Sequence, residues 1–261
     1  MTSFGAALSV EALKLRRAKI ALLTLAAGVV VPLMVAFFMK ILLDPSWAAR
    51  FGVIATKARA TGSEPDWAGY VIMLTEAVAV GGFGLFAMLE VWIFGREFSD
   101  RTAKDLLALP ISRSHIVTAK LVLSTAWSLM LAAVMLGVGL GFGALLDLPT
   151  PPGFALTDAV ARFAVVAVLT AVLSVPFGLA ASVGRGYLPA VGCLFAVVFF
   201  ANIFAALGLG GWFPWSVPGL LSGATGDATL SVAPASIIAT CVVSGAAAFV
   251  TVRWWNTADQ T

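Results

Sequence analysis

Two carboxylates, Glu76 and Glu90, interrupt an otherwise apolar stretch from Tyr70 to Phe94. In an ideal helix the seven-residue spacing keeps Glu76, Phe83 and Glu90 within about 40° on one face, with the carboxyl groups roughly 21 Å apart along the axis. A charge facing lipid is costly, so this face should look into a helix bundle or a wet cavity. Such residues can line a transport path or exchange a proton; the competing reading is a structural pair. Glu90, close to the end of its segment, is expected to bond an N-terminal arginine. Glu76 is open to either role. Asn202, set among Phe199, Phe200 and Phe204, is the other candidate lining residue, or else makes one hydrogen bond between helices.

Other chemistries lack their residues. His115, the single histidine, lies in a polar stretch, which argues against bis-histidine haem and most zinc sites. Cys193 and Cys241 form no CxxC pattern and are expected to be small buried hydrophobes. No lysine follows a glycine, so no GxxxxGK[ST] loop can cradle a nucleotide phosphate. GxSxG and HExxH are also absent, and catalytic residues are expected to be none.

The elements that position these residues follow from composition. Hydrophobic residues make up 61% of the 261-residue chain and charged residues 11%, where a soluble domain carries about a quarter charged. Six stretches reach the roughly 20 apolar residues that span a bilayer: 20–43, 70–94, 121–146, 159–183, 188–209 and 232–252. A β-barrel would show short alternating segments instead, so an all-α integral membrane fold is expected, as a single domain over residues 1–261. The first apolar run is too long for a typical cleaved leader and reads as an uncleaved span.

Charge orients the bundle. Eleven of the 16 basic residues, among them Arg16, Arg17, Arg96, Arg113 and Arg253, fall on the side that holds both termini. Lys40, Arg50, Lys57, Arg59 and Arg162 fall on the other side. Basic residues concentrate inside, so both termini are expected to be cytoplasmic in a plasma (inner) membrane. No basic patch suits nucleic acid. Residues 1–19 should form a short interfacial helix with Phe4, Leu8 and Leu15 on one face, interrupted by Glu11. The outer 44–69 and 147–158 segments are expected to be irregular, and Gly184-Arg185-Gly186 a tight inner turn. Gly137, Gly139, Gly141 and Gly143 form two overlapping GxxxG pairs suited to close helix packing.

The inside loop from Gly95 to Lys120 reads GREFSDRTAKDLLALPISRSHIVTAK. Asp100 can cap a short helix whose apolar side holds Ala103, Leu106 and Leu107, with Arg101, Lys104 and Asp105 opposite. Pro110 stops it, and Ser112 or Ser114 can cap the helix that follows. Such an element could enter a groove on another protein or lie on lipid headgroups; composition leaves both open.

This run resembles the cytoplasmic loop of ABC-2 type permeases, the membrane subunits of ATP-binding cassette exporters. In that family an acidic–aromatic pair, here Glu97-Phe98, leads into a run that Asp100, Thr102, Lys104, Leu106, Leu107, Pro110, Ser112 and Arg113 match. WFPWSVPGLL, residues 212–221, is similar to the outer connection before the family's last helix. Arg101 departs from the pattern, since many relatives carry glycine there. The resemblance implies six transmembrane helices with a short coupling helix between the second and third, over about Arg101–Leu109. It assigns Glu97, Asp100, Arg101, Thr102, Lys104, Asp105, Leu106 and Leu107 to coupling with a separate ATP-binding cassette subunit, which would hold ATP and Mg. It also implies a second permease copy, identical or related. The alternative is a proton-coupled secondary transporter using Glu76 or Glu90, which would work without an ATPase. Apolar and aromatic walls would suit a lipid-like or drug-like cargo.

Overall fold

The computed structural model describes residues 3–54, 56, 62–103, 106, 110–223 and 232–257, and every structural statement below concerns these. All regular structure among them is helical. An amphipathic helix α1 (Ser3–Arg17) leads into α2 (Lys19–Leu43), and a short α3 (Pro45–Arg50) follows. The second long element joins α4 (Trp67–Ala77) to α5 (Phe83–Ser99) through a π-helical turn, Val78–Gly82. Then come α6 (Arg113–Leu145), α7 (Leu156–Ser174), α8 (Pro176–Val183), α9 (Tyr187–Ala206), α10 (Val217–Ser222) and α11 (Pro234–Thr257). Six helical units are long and apolar enough to cross a membrane: α2, α4–α5, α6, α7–α8, α9 and α11.

The apolar stretches set these spans, but the helices outrun them. α6 starts eight residues before Leu121, because Ser112 accepts the amide of His115 (3.3 Å) and caps it. Its first turns carry His115, whose Nδ1 lies 3.0 Å from the Ser3 hydroxyl on α1. The 44–69 segment is less irregular than expected, since Asp44 caps α3 through the amide of Ser46 (2.9 Å).

The core divides along the bundle. At the end that carries α1, Leu15, Phe94, Ile116, Phe177 and Trp255 pack together. Toward the other end lie Val35, Met39, Tyr70, Leu74, Leu131 and Phe163. One GxxxG pair serves this packing: Gly139 faces Leu74, and Gly143 faces the rings of Trp67 and Tyr70. Tyr70 also donates its hydroxyl to the Gly139 carbonyl (2.8 Å). A methyl group at Gly139 or Gly143 would sit 2.7 Å from those side chains, whereas Gly137 and Gly141 face open space.

Four expectations need correction. Glu76, Phe83 and Glu90 do not share one face, because the π turn between the first two inserts residues at a different pitch. Asp100 does not start the coupling helix; it ends α5. Cys193 and Cys241 are exposed on α9 and α11 rather than buried in the core. On α1 the face that packs inward is Ala7, Glu11 and Leu15, so Glu11 belongs to the docked stripe instead of interrupting it.

Candidate functional site

The inner loop leaves α5 through a tight helix stop. Arg101 adopts φ of 58°, a left-handed conformation that residues other than glycine and asparagine disfavour. Its amide donates to the Phe98 carbonyl (3.2 Å), and the Thr102 amide donates to the Glu97 carbonyl (2.9 Å). This pair of bonds is the Schellman motif, in which glycine ordinarily takes the place Arg101 holds. The departure from the family pattern therefore falls on a position with a conformational demand. The chain turns helical again at once: Ala103 and Leu106 are buried, and the Leu106 amide donates to the Thr102 carbonyl (3.0 Å).

Beneath this turn is a closed knot of two carboxylates and two ammonium groups. Lys120 on α6 is fully buried, and its three donors meet Glu97 Oε1 (2.8 Å), Glu11 Oε2 (2.9 Å) and the Ile93 carbonyl (3.3 Å). Lys14 on α1 donates to Glu11 Oε1 (2.7 Å) and Glu97 Oε1 (3.0 Å). The second Glu97 oxygen accepts the Thr102 hydroxyl (2.7 Å). Burial alone would lower the Lys14 pKa, but pairing with Glu11 and Glu97 outweighs it and raises the group above its ordinary value. Glu97 thus ties together the start of the loop, the N-terminal helix and the foot of α6.

Aromatic residues brace the same region. Phe98 packs against Trp254 and Trp255, with ring centroids 6.0 and 5.5 Å away. Trp255 is buried and donates its indole N–H to the Ser182 hydroxyl (2.9 Å), while Arg113 donates to the Trp255 carbonyl (3.3 Å). The C-terminal span is held to both ends of the loop.

The coupling residues separate into two groups. Arg101 and Thr102 are exposed. Glu97 and Leu106 are buried inside the chain's own packing, Leu106 within the core that also holds Phe94 and Trp255. Lys104, Asp105 and Leu107 lie outside the described residues. Glu11, Lys14 and Lys120 did not figure among the candidates. Their signal was nonetheless present: a lone acid on the inward face of α1, and a lysine at the edge of an apolar span.

The path candidates also disperse. Glu90 is fully buried and meets no arginine; one carboxyl oxygen accepts from Ser124 (2.6 Å) and the other has no hydrogen-bond partner. Phe83 is buried against Phe177 (ring centroids 5.7 Å). Glu76 is half-buried and lines two cavities. Phe199 and Asn202 lie on the exposed side of α9, where Asn202 bonds only the Val198 carbonyl of its own helix (2.8 Å).

The profile of the ABC-2 family transporter proteins matches residues 7–202. The bacitracin transport permease protein BCRB of Bacillus licheniformis is 24% identical over 163 residues, covering 60% of this chain and 72% of that protein. No solved structure matches the chain. The family profile takes in most of α1, the knot, the loop, the first four spans and most of the fifth, and this chain belongs to the ABC-2 transporter family as a membrane permease subunit without catalytic chemistry of its own.

Proposed function

We propose that the chain is the membrane half of an ATP-driven exporter and that the turn at residues 100–112 is where a separate ATP-binding subunit, carrying ATP and Mg, engages it. The observation that carries this reading is the double attachment of Glu97: it holds Thr102 in the exposed turn, and through Lys14 and Lys120 it holds α1 and α6. A push on the exposed turn would reach three helices through one carboxylate. Packed, bistable elements convert such small displacements into rigid-body shifts. Glu97 acts in this scheme as a positioning residue, while Arg101, Thr102, Lys104 and Asp105 supply the contact surface.

The whole chain, residues 1–261, would form one membrane domain with both termini cytoplasmic in the plasma membrane. The face of α9 supports pairing with a second permease, identical or related: only Ala190 and Leu194 of this helix are buried, while Phe195, Phe199 and Phe200 point outward. The cargo would be lipid-like or drug-like. A relative named for bacitracin transport makes bacitracin the first cargo to assay.

Cross-linking tests the docking claim. In a background with Cys193→Ala and Cys241→Ala, a cysteine at the exposed Pro110 should cross-link to an ATP-binding cassette subunit in native membranes. A cysteine at Trp212, which is 87% exposed at the opposite end, should not. Cross-linking from Trp212 with none from Pro110 would reverse the assignment.

A further inference from the structure

Glu76 stands where two differently lined cavities meet. The first, about 330 Å³, opens at the end of the bundle away from α1 and is bordered by Glu64, Asp66, Glu76 and Arg162. Among the described residues that border it, three carboxylates meet one guanidinium. The second, about 510 Å³, is an apolar groove between α2 and the α4–π segment, walled by Val31, Met34, Phe38, Met73 and Val80. Glu76 is the one charged residue that borders both. Among the described residues no ion pair includes it. The π turn begins two residues after Glu76, and such turns often mark functional positions. Here it opens the helix beside the groove.

From this juxtaposition we infer that Glu76 anchors a binding site for a single-chain amphiphile with a cationic ammonium head. The head would pair with Glu76 at the mouth of the acidic cavity, and the tail would lie in the groove along α2. The occupant is specified by charge: an anionic head would meet three carboxylates, and a purely apolar molecule would leave Glu76 facing the groove without a counter-ion. That this amphiphile is the transported cargo, entering sideways from the bilayer, rests on the exporter reading. The binding site does not.

The test uses the full-length protein in nanodiscs of zwitterionic lipid and tritiated dodecyltrimethylammonium as probe. Binding should saturate and should resist competition by dodecyl sulfate. Referred to free probe in water, it should weaken about fourfold for each methylene removed from the chain, as apolar burial requires. Glu76→Gln should weaken it at least tenfold. Gly81→Trp should also abolish it by filling the groove: Gly81 lines the groove and a Cβ added there meets nothing within 4 Å. Thermal unfolding of both variants checks that the fold survives. Equal binding of the cationic and anionic probes, or wild-type binding by Glu76→Gln, would overturn the site. Loss of the ATP-binding partner from the wild-type protein would instead remove the exporter reading and leave the site standing.

Discussion

Lys120 has no exposed surface, and each of its three donors has an acceptor within 3.3 Å. A buried ammonium group this fully paired is costly to break from either side, because the partner is left charged and dry. Removing Lys120 as Lys120→Ala should therefore destabilise the folded protein by about 3–5 kcal/mol. Removing Glu11 as well should recover part of that loss, since the two groups share one interaction and their effects cannot add. Thermal unfolding in detergent measures both, and strict additivity would show the knot to be incidental. Lys14 makes a second check. Its pKa is raised above the ordinary 10.5, so its contribution is fully present below that pH and is lost as pH rises through the elevated value. The wild-type unfolding temperature should carry no Lys14-dependent step between pH 6 and 10, and Lys14→Met should abolish a loss of stability seen above about pH 10.5. Apart from Glu97, the residues of this knot could be seen in the sequence only as anomalies. An acid on an apolar helix face and a lysine at the edge of a span each lacked a partner until folding brought residues 11, 97 and 120 together.

The elements themselves were far more legible. Apolar runs of about 20 residues must become helices in lipid, because no other local structure satisfies its own backbone there. The centres of all six spans follow from that rule; the ends do not, because capping residues such as Ser112 extend helices past the apolar stretch. The π turn was hidden for a different reason. Gly81-Gly82 has no composition that distinguishes a π turn from an ordinary helix, yet it removes Glu76 from the face of Glu90. The end of α5 gives the clearest test at this scale. Arg101 holds a left-handed conformation that costs an ordinary L-residue about 1–2 kcal/mol. Arg101→Gly should thus keep or raise the unfolding temperature, whereas Arg101→Val should lower it. A lower temperature for the glycine variant than for the valine variant would mean that the left-handed turn does not govern how the loop begins.

For the molecule as a whole, lipid-facing surface and partner-facing surface look alike from sequence, because both are apolar. For that reason the sequence reads Cys193 and Cys241 as buried, where the packing leaves them exposed. Family membership, by contrast, was readable from the loop motif, whose residue pattern does not depend on the bundle behind it. In the proposed scheme Glu97 transmits between that loop and the spans. The most direct measurement is ATP hydrolysis by the complex purified from its native membrane, together with the amount of ATP-binding subunit retained. The wild-type protein should carry a stoichiometric ATPase whose activity responds to the permease. Glu97→Ala should still insert all six spans but lose coupling, either by releasing the ATPase or by leaving its hydrolysis indifferent to the permease. Full ATPase retention and full cargo-dependent hydrolysis in Glu97→Ala would show that Glu97 does not transmit, and a wild-type protein that carries no ATPase at all would show that the chain is not half of an ATP-driven exporter.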